Sequence, residues 1–95
     1  MHTLDSDGFE WDPAKAAANW RKHKVSFADA AVSLEDPRAF TVEDDDSDGD
    51  QRFVTMAMAP NGDVLVTVHS RAGSNIHIIS SRKASPGERE TYRAG

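Results

Sequence analysis

The chain contains no cysteine among its 95 residues. That removes a disulfide framework, a thiolate metal site and a cysteine nucleophile together, and it fits a reducing compartment. No apolar run approaches the roughly 18 residues of a membrane-spanning helix, and the N-terminal stretch MHTLDSDGFEW is acidic, so a cytoplasmic protein without membrane contact is expected. Other absences narrow the chemistry. The four histidines, at positions 2, 23, 69 and 77, lack metal-ligand spacing, and there is no H-E-x-x-H motif. Neither a phosphate-cradling glycine loop nor a G-x-S-x-G elbow occurs. No metal or cofactor is therefore expected. A direct DNA reader is also disfavoured, because no helix is rich in the Arg, Asn and Gln that read base edges.

What is present starts with charge. The net charge is −5, which taken alone argues against a polyanionic partner. Six of the 16 acids, however, are concentrated in EDDDSDGD, residues 43–50; the remaining ten face eleven Lys plus Arg. WRKHK and SSRKAS then sit in locally basic surroundings, compatible with a phosphate-binding face. Asp44, Asp46, Asp48 and Gly49 match the opening of a calcium loop, where carboxylates supply hard oxygen ligands. The match fails at its twelfth position, where Thr55 replaces the bidentate glutamate, so a solvated connector between strands is the reading adopted.

A chain of this length is one domain, 1–95, burying roughly 60–65% of its unfolded surface, with 1–7 a flexible N-terminus. GFEW reads as a short edge strand. Asp12 followed by Pro13 opens a helix that runs to about His23. Ser26, with Asp29 three residues on, opens a second helix that Pro37 stops, and the tight link between the two makes a helical hairpin. From Arg38 the period becomes two: RAFTVE, RFVTMAM, DVLVTVH and NIHIISSR read as an antiparallel meander, turning at Asn61-Gly62 and at Gly73. Ser85, Pro86 and Glu88 form a capping-box signature for a short C-terminal helix. The fold class is α+β, in the order β-α-α-β-β-β-β-α, with a helical hairpin on one face of an antiparallel sheet and the other face partly open.

Candidate functional residues fall in two groups. Lys15, Asn19, Lys22 and His23 share one face of the first helix, as a polar site or as an ordinary solvated stripe. In the sheet, alternation puts His77, Ile79 and Ser81 on one side and Ile76, Ile78, Ser80 and Arg82 on the other, unless a bulge intervenes. Thr67 and His69 share a side of the preceding strand. His69 and His77 flank a hairpin turn, as an approaching acid–base pair or as two outward-facing polar residues. Cleavage of RNA by its own 2′-OH suits such a set, since it needs only cationic phosphate donors and a modest acid and base.

FEWDPAKAAANWRKHKVSFADAA, DPRAF, RFVTMAM and IHIISSRKASPGERETY together resemble the BrnT family, ribonuclease toxins of type II toxin-antitoxin systems with a RelE-like fold. The likeness spans Phe9 to Tyr92, and its most specific parts are W-D-x-x-K-x-x-x-N-x-x-K-H and I-I-S-x-R-K-A. It implies a toxin that cleaves RNA without metal and slows translation. It also implies a cognate antitoxin carrying a ribbon-helix-helix DNA-binding domain, two toxins with two antitoxins, with operator DNA bound only through the antitoxin. Carried onto this chain, its motifs match Lys15, Asn19, Lys22, His23, Arg52, Arg82 and Lys83; together with the two sheet histidines the expected catalytic set is His23, His69, His77, Arg52 and Arg82, with RNA-phosphate contacts from Lys15, Lys22, Arg82 and Lys83. Two positions depart from the family pattern: His77 stands where Arg is common, and Lys24 where Gly is common after the helix. The first favours an alternative, a non-catalytic toxin-fold module that acts with its antitoxin in autoregulation. The second implies a strained connection.

Overall fold

The computed structural model describes residues 3–4, 8–44 and 51–95. Its elements in chain order are β1 (Thr3–Leu4), β2 (Phe9–Trp11), α1 (Pro13–His23), α2 (Phe27–Ser33), β3 (Phe40–Asp44), β4 (Arg52–Met58), β5 (Val64–Ala72), β6 (Asn75–Lys83) and α3 (Pro86–Ala94). This is the expected α+β order with one addition, the two-residue β1. The acidic residues 45–50, where most of the calcium-loop resemblance lies, fall outside the described residues.

Local chemistry explains each helix. Asp12 accepts a hydrogen bond from the Ala14 amide at 2.8 Å and Pro13 fills the first turn of α1. Ser26 accepts from the Asp29 amide to start α2. Ser85 and Glu88 form a reciprocal capping box at α3. α2 ends at Ser33, before the proline expected to stop it. Leu34 to Asp36 turn away instead, and the Asp36 carboxylate accepts from the Arg38 and Met58 amides and from the Tyr92 hydroxyl, fixing the corner into β3. These bonds hold the Asp36 carboxyl below its usual value, the Tyr92 contact being the largest cause.

The sheet is mostly antiparallel, in the order β1-β2-β6-β5-β4-β3. Two expectations are corrected here. β2 pairs with β6 in parallel, Phe9 opposite Ile76 and Glu10 opposite His77, and it is not an edge, because β1 lies outside it. The α1–α2 hairpin carries the chain from β2 across the sheet, so that the meander β3 to β6 works back and its last strand lands beside the first.

Both faces carry a core. On one side α1 and α2 lie over β6, and α2 also reaches β5; Phe9, Val25, Phe27, Ala30, Ala31, Leu65 and Ile78 are buried there. Phe27, Leu65 and Ile78 are the largest fully buried apolar side chains, each stabilising the fold by roughly 1.5–3 kcal/mol. On the other side α3 brings Tyr92 onto Val64 and Val66, flanked by Val54 and Met56. That helix covers only part of its face.

A bulge in β6 decides which side chains go where. Val68 pairs with Ser80, but His69 pairs with Ile78, so Ile79 is the extra residue. Ser81 and Ile78 thereby both face the helical hairpin, and His77 faces the opposite way. The simple alternation that placed His77 with Ser81 is overturned, as is the approach of His69 to His77: the two imidazoles lie on opposite faces of the sheet.

Candidate active site

The open face carries a row of polar side chains across four strands. Arg52 of β4 stands opposite Ser70 of β5, Ser70 opposite His77 of β6, and His77 beside Glu10 of β2. Directly paired residues on one face sit roughly 4.5–5.5 Å apart at Cβ, within reach of one ligand group. His77 Nδ1 lies 3.4 Å from Glu10 Oε2, and Asn75 Nδ2 donates to Glu10 Oε1 at 3.2 Å. The Glu10 side chain is 11% exposed and that of His77 26%, so the carboxylate is the more buried of the two. A carboxylate at Nδ1 favours the proton there and leaves the lone pair on Nε2, a tautomer assigned from the geometry. The row thus places an imidazole, a hydroxyl and a guanidinium on neighbouring strands, with Asp44 of β3 opposite Arg52.

The other candidate residues are placed elsewhere. His69 faces the helical-hairpin side, where its ring stacks on Phe53 at 5.8 Å and its Nε2 shares a 2.8 Å hydrogen bond with Thr55 Oγ1. Burial, and secondarily Arg71, push this imidazole below its usual value, so it is neutral at pH 7. Thr55 in turn bonds Thr41, and Thr67 bonds Ser81, making a hydroxyl ladder within that face. The same Thr55 stands where a calcium loop would need its closing glutamate, and it is buried in the sheet.

On α1, Lys15 and Lys22 are exposed and His23 is half-buried, all in the layer on the far side of the sheet from Arg52 and His77. Asn19 does not join them. It is buried, donates to the Val25 and Ser81 carbonyls at 3.0 and 2.8 Å, and accepts from the Ser81 amide, so it clamps α1 to β6. Arg82 is on the open face but engaged: its guanidinium makes a bidentate pair with Glu88, at 2.8 and 2.9 Å. That pair, with the Ser85 amide, holds the Glu88 carboxyl down to about 2, and Glu88 raises Arg82. Lys83 at the end of β6 lies 3.8 Å from Asp63.

Glu10, Ser70 and Asn75 are the residues that sequence reasoning missed. Glu10 had a signal, a lone carboxylate between two apolar residues of a three-residue strand, which alternation sends to the face away from Phe9 and Trp11. Its neighbour could not be read, because the parallel pairing joins residues far apart in the chain.

An α+β domain with this face, whose residues 11–88 match the family model described as ribonuclease toxin, BrnT, of type II toxin-antitoxin system, is a toxin of that class. The chain belongs to the BrnT family, and membership brings with it a cognate antitoxin. No curated protein matches the chain. Among the described residues no helix is long and apolar enough to cross a membrane.

Proposed function

We propose that this protein is an endoribonuclease that cleaves RNA through the substrate's own 2′-OH, without a metal, and slows translation until its antitoxin covers it. The observation that carries the reading is the row Arg52, Ser70, His77 and Glu10 on an uncovered sheet face of a BrnT-family chain. His77 Nε2 accepts the 2′-OH proton as the 2′-oxygen bonds to phosphorus. The P–O5′ bond breaks, and the departing 5′-oxygen takes a proton from water. Arg52 pairs the charge on the non-bridging oxygens, and Ser70 donates to the same group. The antitoxin is proposed to carry a ribbon-helix-helix DNA-binding domain and to assemble as two toxins with two antitoxins in the cytoplasm.

The test is cleavage of a defined naked RNA by the purified chain in EDTA, with the ends identified. Cyclic or 3′-phosphate ends support 2′-OH attack; 3′-hydroxyl ends overturn it. One observation favours the second reading, a non-catalytic module: the Arg82 guanidinium is already occupied by Glu88. That reading predicts full antitoxin affinity with no cleavage of naked or ribosome-bound RNA.

A further inference from the structure

A cavity of about 260 Å³ opens where β6 hands over to α3, bounded by the turn before β5, by Lys83, and by Arg89 and Arg93 of the helix. Arg89 and Arg93 are one helical turn apart and so share a face. One carboxylate, Asp63, faces three cations; it is 3.8 Å from Lys83 and already accepts from Asn61 Nδ2 at 3.2 Å. The cavity thus has an excess of positive charge on a chain whose net charge is −5. Arg89 donates one N–H to the Ala84 carbonyl at 3.2 Å, which fixes its guanidinium while leaving the others available. Like charges at this spacing disfavour the helix unless an anion sits among them.

We infer that Lys83, Arg89 and Arg93 form a subsite for a backbone phosphodiester of the RNA, remote from the cleavage row; this rests on the ribonuclease reading. His77 and Lys83 are six residues apart on one strand, roughly 20 Å at 3.3 Å per residue. A single RNA strand lying across the row can therefore reach the cavity several nucleotides away. Two guanidinium forks and an ammonium match phosphate oxygens, and they present nothing that reads a base. The subsite contributes length-dependent, sequence-independent affinity.

The experiment uses the full chain and a series of 2′-O-methyl oligoribonucleotides, from dinucleotide to dodecamer, which keep the phosphates and lack the nucleophile. Arg93→Ala and, separately, Arg89→Gln are titrated against each length at several salt concentrations, with folding checked by circular dichroism. The expected result is about tenfold weaker binding of the dodecamer, unchanged binding of the dinucleotide, and a salt slope reduced by about 0.7 per lost cation. With cleavable RNA, KM rises for long substrates and kcat stays. Losses equal at every length, no loss at all, or a loss confined to antitoxin binding each overturn the subsite while RNA cleavage stands. Failure of the unsubstituted chain to bind any oligomer overturns the ribonuclease reading together with the subsite.

Discussion

The two faces of the sheet are built from the same strands and treat polar residues in opposite ways. On the hairpin side of the sheet Thr41, Thr55 and His69 form one bonded set and Thr67 with Ser81 another, while Asn19 bonds to the backbone of β6. Thr55, Thr67, Ser81 and Asn19 are buried and bonded within the protein, while Thr41 and His69 line a cavity of about 230 Å³ with Phe53 and Arg71. On the other face the exposed Arg52 and the half-buried Ser70 and His77 line up, next to the buried Glu10 carboxylate. A histidine bonded to a threonine hydroxyl and one beside a carboxylate are chemically different residues, although alternation alone gave them equal standing.

The sharpest way to break this comparison is to remove one imidazole from each face. His77→Ala is expected to lower RNA cleavage by about 10²–10⁴, the usual worth of a general base, with thermal stability little changed. His69→Ala is expected to leave cleavage within a few-fold and to lower stability by about 1 kcal/mol, read by urea unfolding. The reverse pattern would move the active site to the hairpin face.

Next in size is Asn19→Ala. It removes three buried hydrogen bonds and leaves backbone groups of Val25 and Ser81 without partners, so a loss of about 3 kcal/mol is expected in the urea midpoint. An unchanged midpoint with lost RNA binding would return Asn19 to the functional set.

Acid titration then separates the Arg82–Glu88 pair from the row. Glu88 is held at about 2, below its usual 4.5, so the stability it contributes is present above pH 4.5 and is lost as pH falls toward 2. Glu88→Gln should therefore cost about 1 kcal/mol or less at pH 7, discounted because both partners are substantially solvated, and nothing at pH 2. His69 follows the same sign: its lowered value makes its share of stability present above about pH 6.5 and lost as pH falls. If the Glu88 variant also cleaves RNA faster, freeing Arg82 supplies a second phosphate contact.

The smallest effect is local. Lys24 caps α1 in the left-handed region at φ 58°, the geometry a glycine takes without strain, while its ammonium sits 5.8 Å from the exposed Trp20 ring. Lys24→Gly should stabilise by about 1 kcal/mol, less the lost ring contact, in thermal unfolding. No change would mean that the ring contact offsets the strain in full.

Much of the architecture was legible because it is written in short-range chemistry. Asp12-Pro13, Ser26 and Ser85 with Glu88 announce helix starts through groups that bond their own neighbours, and Asn61-Gly62 and Gly73 supply turns at φ 92° and 63° at the glycines. What could not be read depends on partners distant in sequence: the parallel seating of β2 against β6, the Glu88 carboxylate that occupies Arg82, and the helix face that turned Asn19 inward. The candidate residues divide between the two faces of the sheet. Arg52 and His77 share one row, but Lys15, Lys22, His23 and His69 belong to the opposite layer, and Glu10 was unseen.

The extra residue at Ile79 carries a consequence for the strand as an object with phase. Upstream of it even-numbered positions of β6, Ile76 and Ile78, point into the hairpin core; downstream the odd-numbered Ser81 does. Parity along β6 therefore changes meaning midway. The two halves behave as two short strands spliced out of step, which lets one continuous segment present an imidazole to solvent on one face and, three residues away from the buried Ile78, anchor the hydroxyl ladder on the other.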